Sequence, residues 1–465
     1  MRGGASRPAP SRPAFREPTR ARRVRSPMPD RRPSGSSSGS LPADDRRALG
    51  PAGPLDAELP FPGETLDGPM SGLADAVSTL SADPVEQPEP IDERETGVAL
   101  WAVVLAGGIG SRFWPLSTPE RPKQLLSLVG ERPLIAETVA RLSPTVPPTR
   151  VLVLTSADIA DALRAAIPEV PDANMLVEPR PMGTAAALAW GASEVQRRAG
   201  TQTALVAMHA DLAVGFPSEF RRRLVDAARL ATRGPGDGGA RLVVLGAEPT
   251  RNETGFGYAV PGEALDVDAG AAEVSGGVRE AARRVTRFVE KPGPLLAEQL
   301  VDQGAFWHTG IVVCTAGHAL EALAERTPEL ELGLPALAAG KLDRFSGLIQ
   351  SVSIERGLLE RMPDLVVLPV DCAWDDVGTW AALRRVRELD DTGNGVWGPA
   401  HVVDASSCVV HAEEQTTVIY GLTGVLVVSR PGLTFVTTLD RAAELRPLLD
   451  QLPEQVAGRG RREAL

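Results

Sequence analysis

Leu100 to Gln124 reads LWAVVLAGGIGSRFWPLSTPERPKQ. The run Leu100 to Leu105 is apolar throughout, as a strand buried on both faces would be. It stops where glycines begin. Gly107, Gly108 and Gly110 can adopt positive φ and let their N–H groups converge on an anion. Arg112 and Lys123 add positive charge within the same segment. Arginine grips phosphate through two parallel hydrogen bonds, and lysine acts as a point charge. The stretch is not a Walker A loop, because the second glycine of that motif and its Lys-Ser/Thr pair are missing. It is not a dinucleotide fingerprint either, because Phe113 stands where the last glycine belongs. A cradle for a triphosphate is the expectation.

Moving outward, further apolar runs occur at Val151 to Leu154, Ala204 to Met208 and Leu242 to Leu245. Helical patterns separate them: Pro133 to Leu142, Ile159 to Ile167, Thr184 to Arg198 and Phe220 to Thr232. Apolar strands alternating with helices imply an α/β fold, Rossmann-like, with a mostly parallel sheet flanked by helices. Ligands in such sheets bind beyond the carboxyl ends of the strands. The loop at Ala106 sits at that edge. After about Gly393, short β-rich pieces separated by Gly and Asn turns predict a small β-helix-like domain over 393–465, closed by a helix from Leu439 to Leu452. Residues 1–97 are rich in Arg, Pro, Ser and Gly, then in Pro and acids, and too poor in apolar runs to offset chain entropy. They are expected to be a disordered tail, which leaves 98–392 as the catalytic domain.

Composition excludes several classes. A net charge of −11 argues against non-specific nucleic-acid binding. The sequence lacks an apolar run long enough to span a membrane. Cys314, Cys372 and Cys408 are far apart and form no CxxC pair, so small buried hydrophobes in a reducing cytoplasm are expected. The five histidines show no metal-ligand spacing. Arg221, Arg222 and Arg223 read as a solvated helix face, and Trp101, Trp307, Trp374 and Trp380 as core rather than ligand contacts.

Two carboxylates stand out. Asp211 follows the run Ala204 to Met208, and Asp376 follows Leu365 to Val370. Carboxylates meeting at one sheet edge suit Mg²⁺, which takes a few protein oxygens and shares phosphate oxygens. Of the adjacent acids, Asp375 is expected to be the helix cap or spare acid and Asp376 the ligand. Gly183 and Thr184 open a helix after a strand, where backbone N–H groups could approach a base.

The segment Leu105 to Gln124 resembles the signature of mannose-1-phosphate guanylyltransferases, within the sugar-1-phosphate nucleotidyltransferases. Further segments are similar in the family's order: Glu178 to Ala185, Met208 to Asp211, Thr254 to Tyr258, Phe288 to Pro292 (FVEKP), Trp307 to Gly310 and Trp374 to Trp380. The resemblance implies that a sugar phosphate attacks the α-phosphorus of a nucleoside triphosphate and releases pyrophosphate. Such a displacement needs charge neutralisation and alignment more than a protein nucleophile.

By the same resemblance, Arg112, Lys123 and Lys291 carry the catalysis. The nucleotide falls to Leu105, Ala106, Gly107, Gly108, Gly110, Ser111, Arg112, Lys123, Glu178, Gly183 and Thr184. The sugar phosphate falls to Gly257, Tyr258, Glu290, Lys291, His308 and Thr309, and Mg²⁺ to Asp211 and Asp376. The substrates implied are GTP and mannose 1-phosphate, with no nucleic-acid or membrane partner, and the β-rich tail is an assembly surface for a homo-oligomer. The chain departs from the family pattern at His308 and Thr309, where Asn and Ser are common, and at Met182 to Ala187 and Leu212. Two other readings therefore stay open: glucose 1-phosphate with dTTP or UTP, and a non-catalytic sugar-nucleotide sensor.

Overall fold

The computed structural model describes residues 99–457, apart from 109–110, 233–239 and 266–280. The expectation of disorder for residues 1–97 lies outside the described residues, as does Gly110.

The chain starts as expected. Strand β1 (Leu100–Leu105) gives way to the glycine loop, and helix α1 (Leu134–Leu142) leads to β2 (Val151–Ser156). Helix α2 (Ala157–Ala166) and β3 (Met175–Glu178) follow, then α3 (Thr184–Ala199), β4 (Ala204–His209), the short β5 (Leu212–Val214) and α4 (Pro217–Thr232). Next come β6 (Val243–Ala247), β7 (Gly257–Ala264), β8 (Arg283–Glu290), α5 (Pro294–Asp302), β9 (Phe306–Thr315) and α6 (Ala316–Arg326). A run of short helices ends in α7 (Ile354–Gly357), before β10 (Val366–Pro369), β11 (Trp374–Asp376) and α8 (Trp380–Val386).

One sheet of nine strands, in the order β3-β2-β1-β4-β9-β6-β10-β8-β7, organises this part. β1, β2, β3 and β4 are mutually parallel, and β10 is parallel to β6. β9 runs antiparallel between β4 and β6, and β8 runs antiparallel to both β10 and β7. Seven of the nine strands thus run the same way, mostly parallel as expected, and β8 and β9 are reversed. Burial of both faces makes a strand apolar whichever way it runs, so composition carries no direction.

Alternation along the strands feeds two cores. Val103 and Leu105 of β1 and Leu205 and Ala207 of β4 pack against α3 and α6. Leu100, Ala102 and Val104, with Ala204, Val206 and Met208, pack on the other face against α1, α2 and α4. Each such buried Leu or Val contributes about 1.5–3 kcal/mol.

The basic triplet on α4 is not a solvated face. Arg221 and Arg223 are buried, Arg221 donating to the Arg141 carbonyl at 3.1 Å and Arg223 pairing with Glu219 at 3.1 Å. Only Arg222 of the three keeps substantial exposure, 41% of its side chain. Three consecutive helical residues span most of a turn, so they cannot share one face.

Beyond α8, strands β12 (Gly395–Trp397), β13 (Ala400–Val403), β14 (Val409–Ala412), β15 (Thr417–Tyr420), β16 (Val425–Arg430) and β17 (Leu433–Thr438) form two small sheets. β12, β14 and β16 pair in parallel, β13 pairs in parallel with β15, and β17 closes antiparallel on β16. Cys408, Val410, Ile419 and Val427 fill the inside. Val409, Leu426, Val428 and Phe435 face Phe113, Trp114, Leu116 and Leu128 of the glycine-loop segment. The expected closing helix from Leu439 to Leu452 is broken into a turn at Arg441–Ala443 and a short helix at Arg446–Leu449. Pro447 lacks an N–H and so lies in the first turn of a restarted helix rather than inside a continuous one.

Candidate active site

A cleft of about 250 Å³ opens at the carboxyl edge of β4 and takes in nine of the residues expected from sequence: Arg112, Lys123, Asp211, Gly257, Glu290, Lys291, His308, Thr309 and Asp376.

At one end the loop after β1 delivers its cations. Lys123 opens a short 3₁₀ turn, and only 7% of its side chain is exposed. Its Nζ lies 2.7 Å from Asp211 Oδ2 and 3.7 Å from Asp376 Oδ1. The two acids are joined by backbone: β5 and β11 pair antiparallel with Leu212 opposite Asp376. Burial works to raise the Asp211 carboxyl, but Lys123 and His209 outweigh it and hold it below its ordinary value. Asp376 goes the other way, raised by burial first and by Asp211 beside it, against Lys123 and Arg112. Arg112 is exposed, and its guanidinium reaches the Gly378 carbonyl at 3.4 Å.

Two carboxylates meet one buried ammonium here, with the exposed Arg112 beside Asp376. Hard oxygen donors with room for further ligands fit Mg²⁺, which keeps waters and shares substrate phosphates. Among the described residues no group of three or more His, Cys, Asp or Glu side chains forms a closed metal cage.

At the other end β8 finishes in Glu290 and Lys291. The Glu290 side chain is 6% exposed, and its carboxylate accepts from Lys291 Nζ at 2.7 Å. Burial, above all, raises the Glu290 carboxyl. Lys291 stands at φ 50, a left-handed conformation that costs a non-glycine residue about 1–2 kcal/mol. Such strain persists where surrounding contacts enforce it, and here the Lys291 N–H is tied to the Phe256 carbonyl at 3.1 Å. Gly257 must lack a side chain: a Cβ there would lie 2.9 Å from Glu290 Oε2.

His308 also lines this end, and among the described residues neither of its buried ring nitrogens has a hydrogen-bond partner. Its Nε2 is 3.9 Å from Glu355 Oε1, too far for a hydrogen bond. Burial lowers the ring to about 4 against the pull of Glu355, so it is neutral at pH 7.

Several expected residues are placed otherwise. Tyr258 is fully buried, and its hydroxyl donates to the Glu253 carbonyl at 2.7 Å, so it supports the cleft from behind. Thr309 borders the cleft, but its hydroxyl is committed to the Leu245 carbonyl at 2.9 Å. Asp375 caps no helix: Arg385 grips it through two bonds of 2.7 and 2.8 Å, while Thr379 caps α8. Trp374, expected in the core, borders the cleft.

The rest of the nucleotide set does not line this cleft. Gly107 and Gly108 are exposed, Gly108 at φ 91 as its type allows. Leu105 and Ala106 are buried, and the Ala106 carbonyl accepts from the Gln124 amide at 2.9 Å, which closes the loop. Ser111 begins the first 3₁₀ turn. Glu178 ends β3, two strands away from β1, with its carboxyl raised to about 7 by burial against a bond from the Met182 N–H. Gly183, at φ 88, is the residue before α3, and a Cβ on it would collide with Ser351 and Val352. Thr184 accepts from the Ile354 N–H at 2.9 Å rather than capping its own helix.

Sequence reasoning missed His209, Phe256 and Glu355, which all line the cleft. His209 had a signal, as a polar residue closing an otherwise apolar strand. Glu355 had none, because its place depends on the docking of α7 against Thr184, 170 residues earlier.

The chain is similar to known proteins. The model of the nucleotidyl transferase family matches residues 101–392. The xanthan biosynthesis protein XanB of Xanthomonas campestris pv. campestris is 30% identical over 363 residues, 75% of this chain and 72% of that protein. A mannose-1-phosphate guanylyltransferase of Klebsiella pneumoniae is 29% identical over 369 residues, covering 76% and 74%. A crystal structure from Thermus thermophilus, described as a mannose-1-phosphate geranyltransferase, superposes with a TM-score of 0.66 at 30% identity, covering 76% of this chain and 98% of that one. The chain belongs to the nucleotidyl transferase family.

Proposed function

We propose that this enzyme joins GTP and mannose 1-phosphate into GDP-mannose and pyrophosphate. One observation carries the reading: a single cleft holds Arg112 and Lys123 beside Asp211 and Asp376, and Glu290 with Lys291 across from them. In the reaction a phosphate oxygen of the sugar phosphate attacks the α-phosphorus. The bond from that phosphorus to the bridging oxygen breaks, and pyrophosphate leaves with the electron pair. Arg112 and Lys123 stabilise the charge that builds on the leaving group, the task that fixed cations perform best in a poorly solvated site. Lys291 holds the attacking phosphate, and Glu290 accepts from a sugar hydroxyl. Asp211 and Asp376 would hold Mg²⁺, which supplies charge neutralisation when bound. The rest of the nucleotide is assigned to Leu105, Ala106, Gly107, Gly108, Gly110 and Ser111, and to Glu178, Gly183 and Thr184, on the resemblance of their segments to the family.

The sequence division at residue 393 fits this reading, with 98–392 catalytic. The parallel pairings among β12 to β16 support short β-helix coils after it. The exposed Val418 and Tyr420 there suit an assembly surface. Among the described residues no helix is long and apolar enough to cross a membrane.

The test crosses mannose 1-phosphate and glucose 1-phosphate with GTP, dTTP and UTP, with and without Mg²⁺. Fastest turnover with GTP and mannose 1-phosphate is expected. Faster turnover of glucose 1-phosphate with dTTP or UTP would replace the substrates, and no turnover with any pair would favour the sensor.

A further inference from the structure

The segment between Arg112 and Lys123 is poorly equipped to hold its own shape. Pro115, Pro119 and Pro122 lack N–H groups. Its internal backbone bonds are those of two local turns, Leu116 and Ser117 onto Phe113, and the reciprocal pair between Thr118 and Arg121 at 3.0 and 3.1 Å. Yet both its ends line the cleft and must keep a fixed spacing. Trp380 of α8 packs on Phe113 at 5.2 Å between centroids, and the middle of the segment is held by the strands after Gly393. Arg430, at the end of β16, donates to the Pro115 carbonyl at 2.6 Å. Glu413, just after β14, pairs with Arg121 at 2.5 Å. Phe435 of β17 meets the Trp114 ring edge-on at 5.1 Å between centroids.

We propose that the C-terminal β-strands are a positioning element for the nucleotide loop, with Arg430 and Glu413 setting the relation of Arg112 to Lys123. Neither residue touches substrate. The strands brace the middle of the loop from outside, and the ends present their charges to the triphosphate. The sugar end is carried on β8, a separate element, so loosening the brace acts on one substrate more than the other. This inference rests on the proposed reaction for its kinetic part only.

The experiment uses the full chain with Arg430→Met, Arg430→Lys and Glu413→Gln. Hydrogen exchange across residues 113–122 is read without substrate, and KM is read for GTP and mannose 1-phosphate separately. Arg430→Met removes a partly buried, charged donor, for which a loss of about ten- to a hundredfold is usual. Loop exchange should quicken and KM for GTP should rise by about that factor, while KM for mannose 1-phosphate stays within about twofold. Arg430→Lys keeps a donor and should recover most of the effect. Arg121 is 43% exposed, so Glu413→Gln should change GTP binding by only about twofold. Unchanged loop exchange in Arg430→Met, or equal shifts in both KM values, would overturn the proposal. If Arg430→Met fails to fold, Arg430→Gln, which loses the charge and the reach of the guanidinium, is read by the same criteria. If the parent chain turns over no substrate, the proposed reaction fails, and loop exchange alone decides this inference.

Discussion

The two ends of the cleft are built in opposite ways. The loop end is electrostatically closed, with the Lys123 ammonium buried between Asp211 and Asp376 and those carboxylates still about a third exposed to the cleft. The β8 end is open. Lys291 keeps 56% of its side chain in solvent, and His308 holds two buried nitrogens without a hydrogen-bond partner among the described residues. A buried polar group without a partner costs about 1–3 kcal/mol. The first end is therefore preorganised before substrate arrives, while the second has polar capacity that a hydroxylated ligand can satisfy. Chemistry at phosphorus demands the former, because charges that must reorient lose much of their effect in the transition state. Recognition of a sugar tolerates the latter.

Substitutions can break that contrast. The largest effect is expected from Asp211→Asn, which removes the charge proposed to hold the metal and unbalances Lys123. We expect kcat/KM to fall by about a thousandfold, near the top of the range for losing one preorganised transition-state contact, with Tm nearly unchanged. A loss below tenfold would remove Asp211 from the metal role. Next, Glu290→Gln should raise KM for the sugar phosphate by about ten- to a hundredfold, the span for a hydrogen bond to a charged acceptor. It should leave KM for GTP alone, and initial rates with one substrate varied at a time would decide it.

The smallest effect concerns pH. The His308 ring titrates near 4 in the fold because burial disfavours its charge, against about 6.5 in an unfolded chain. Between those values the unfolded chain binds a proton that the fold does not, so stability falls as pH falls from 6.5 towards 4. His411, lowered to about 3 by burial and by Arg387, adds in the same direction. Melting curves of the parent and of His308→Asn across that window should show a shallower decline for the variant. Parallel curves would mean that His308 is not buried as a neutral ring.

Much of the cleft was legible, and the physical reasons differ by residue. Asp211 could be placed because an apolar run fixes a strand and a strand's end fixes the edge of a sheet. Lys123 and Arg112 were readable from their spacing around glycines. Tyr258 was misplaced although the rule for it was at hand. Neighbouring residues of a strand point to opposite faces, so Gly257 in the cleft sends Tyr258 away from it, and the same alternation keeps Asp375 out while Asp376 lines the cleft, as expected, although Arg385 rather than a helix end takes Asp375. Thr309 reaches the cleft as expected, and only the structure reveals that the Leu245 carbonyl claims its hydroxyl. Glu355 had no local signal at all, and the antiparallel run of β9 left no trace in its composition.

Direct binding measurements on Lys123→Met and Lys291→Met test most directly whether the two ends serve two substrates. Titration calorimetry would give Kd for GTP and for mannose 1-phosphate with each folded variant. Lys123→Met should weaken GTP by about ten- to a hundredfold and leave mannose 1-phosphate within about twofold, and Lys291→Met should do the reverse. If both variants weaken the same ligand, or neither weakens either, the division of the cleft between nucleotide and sugar phosphate is wrong.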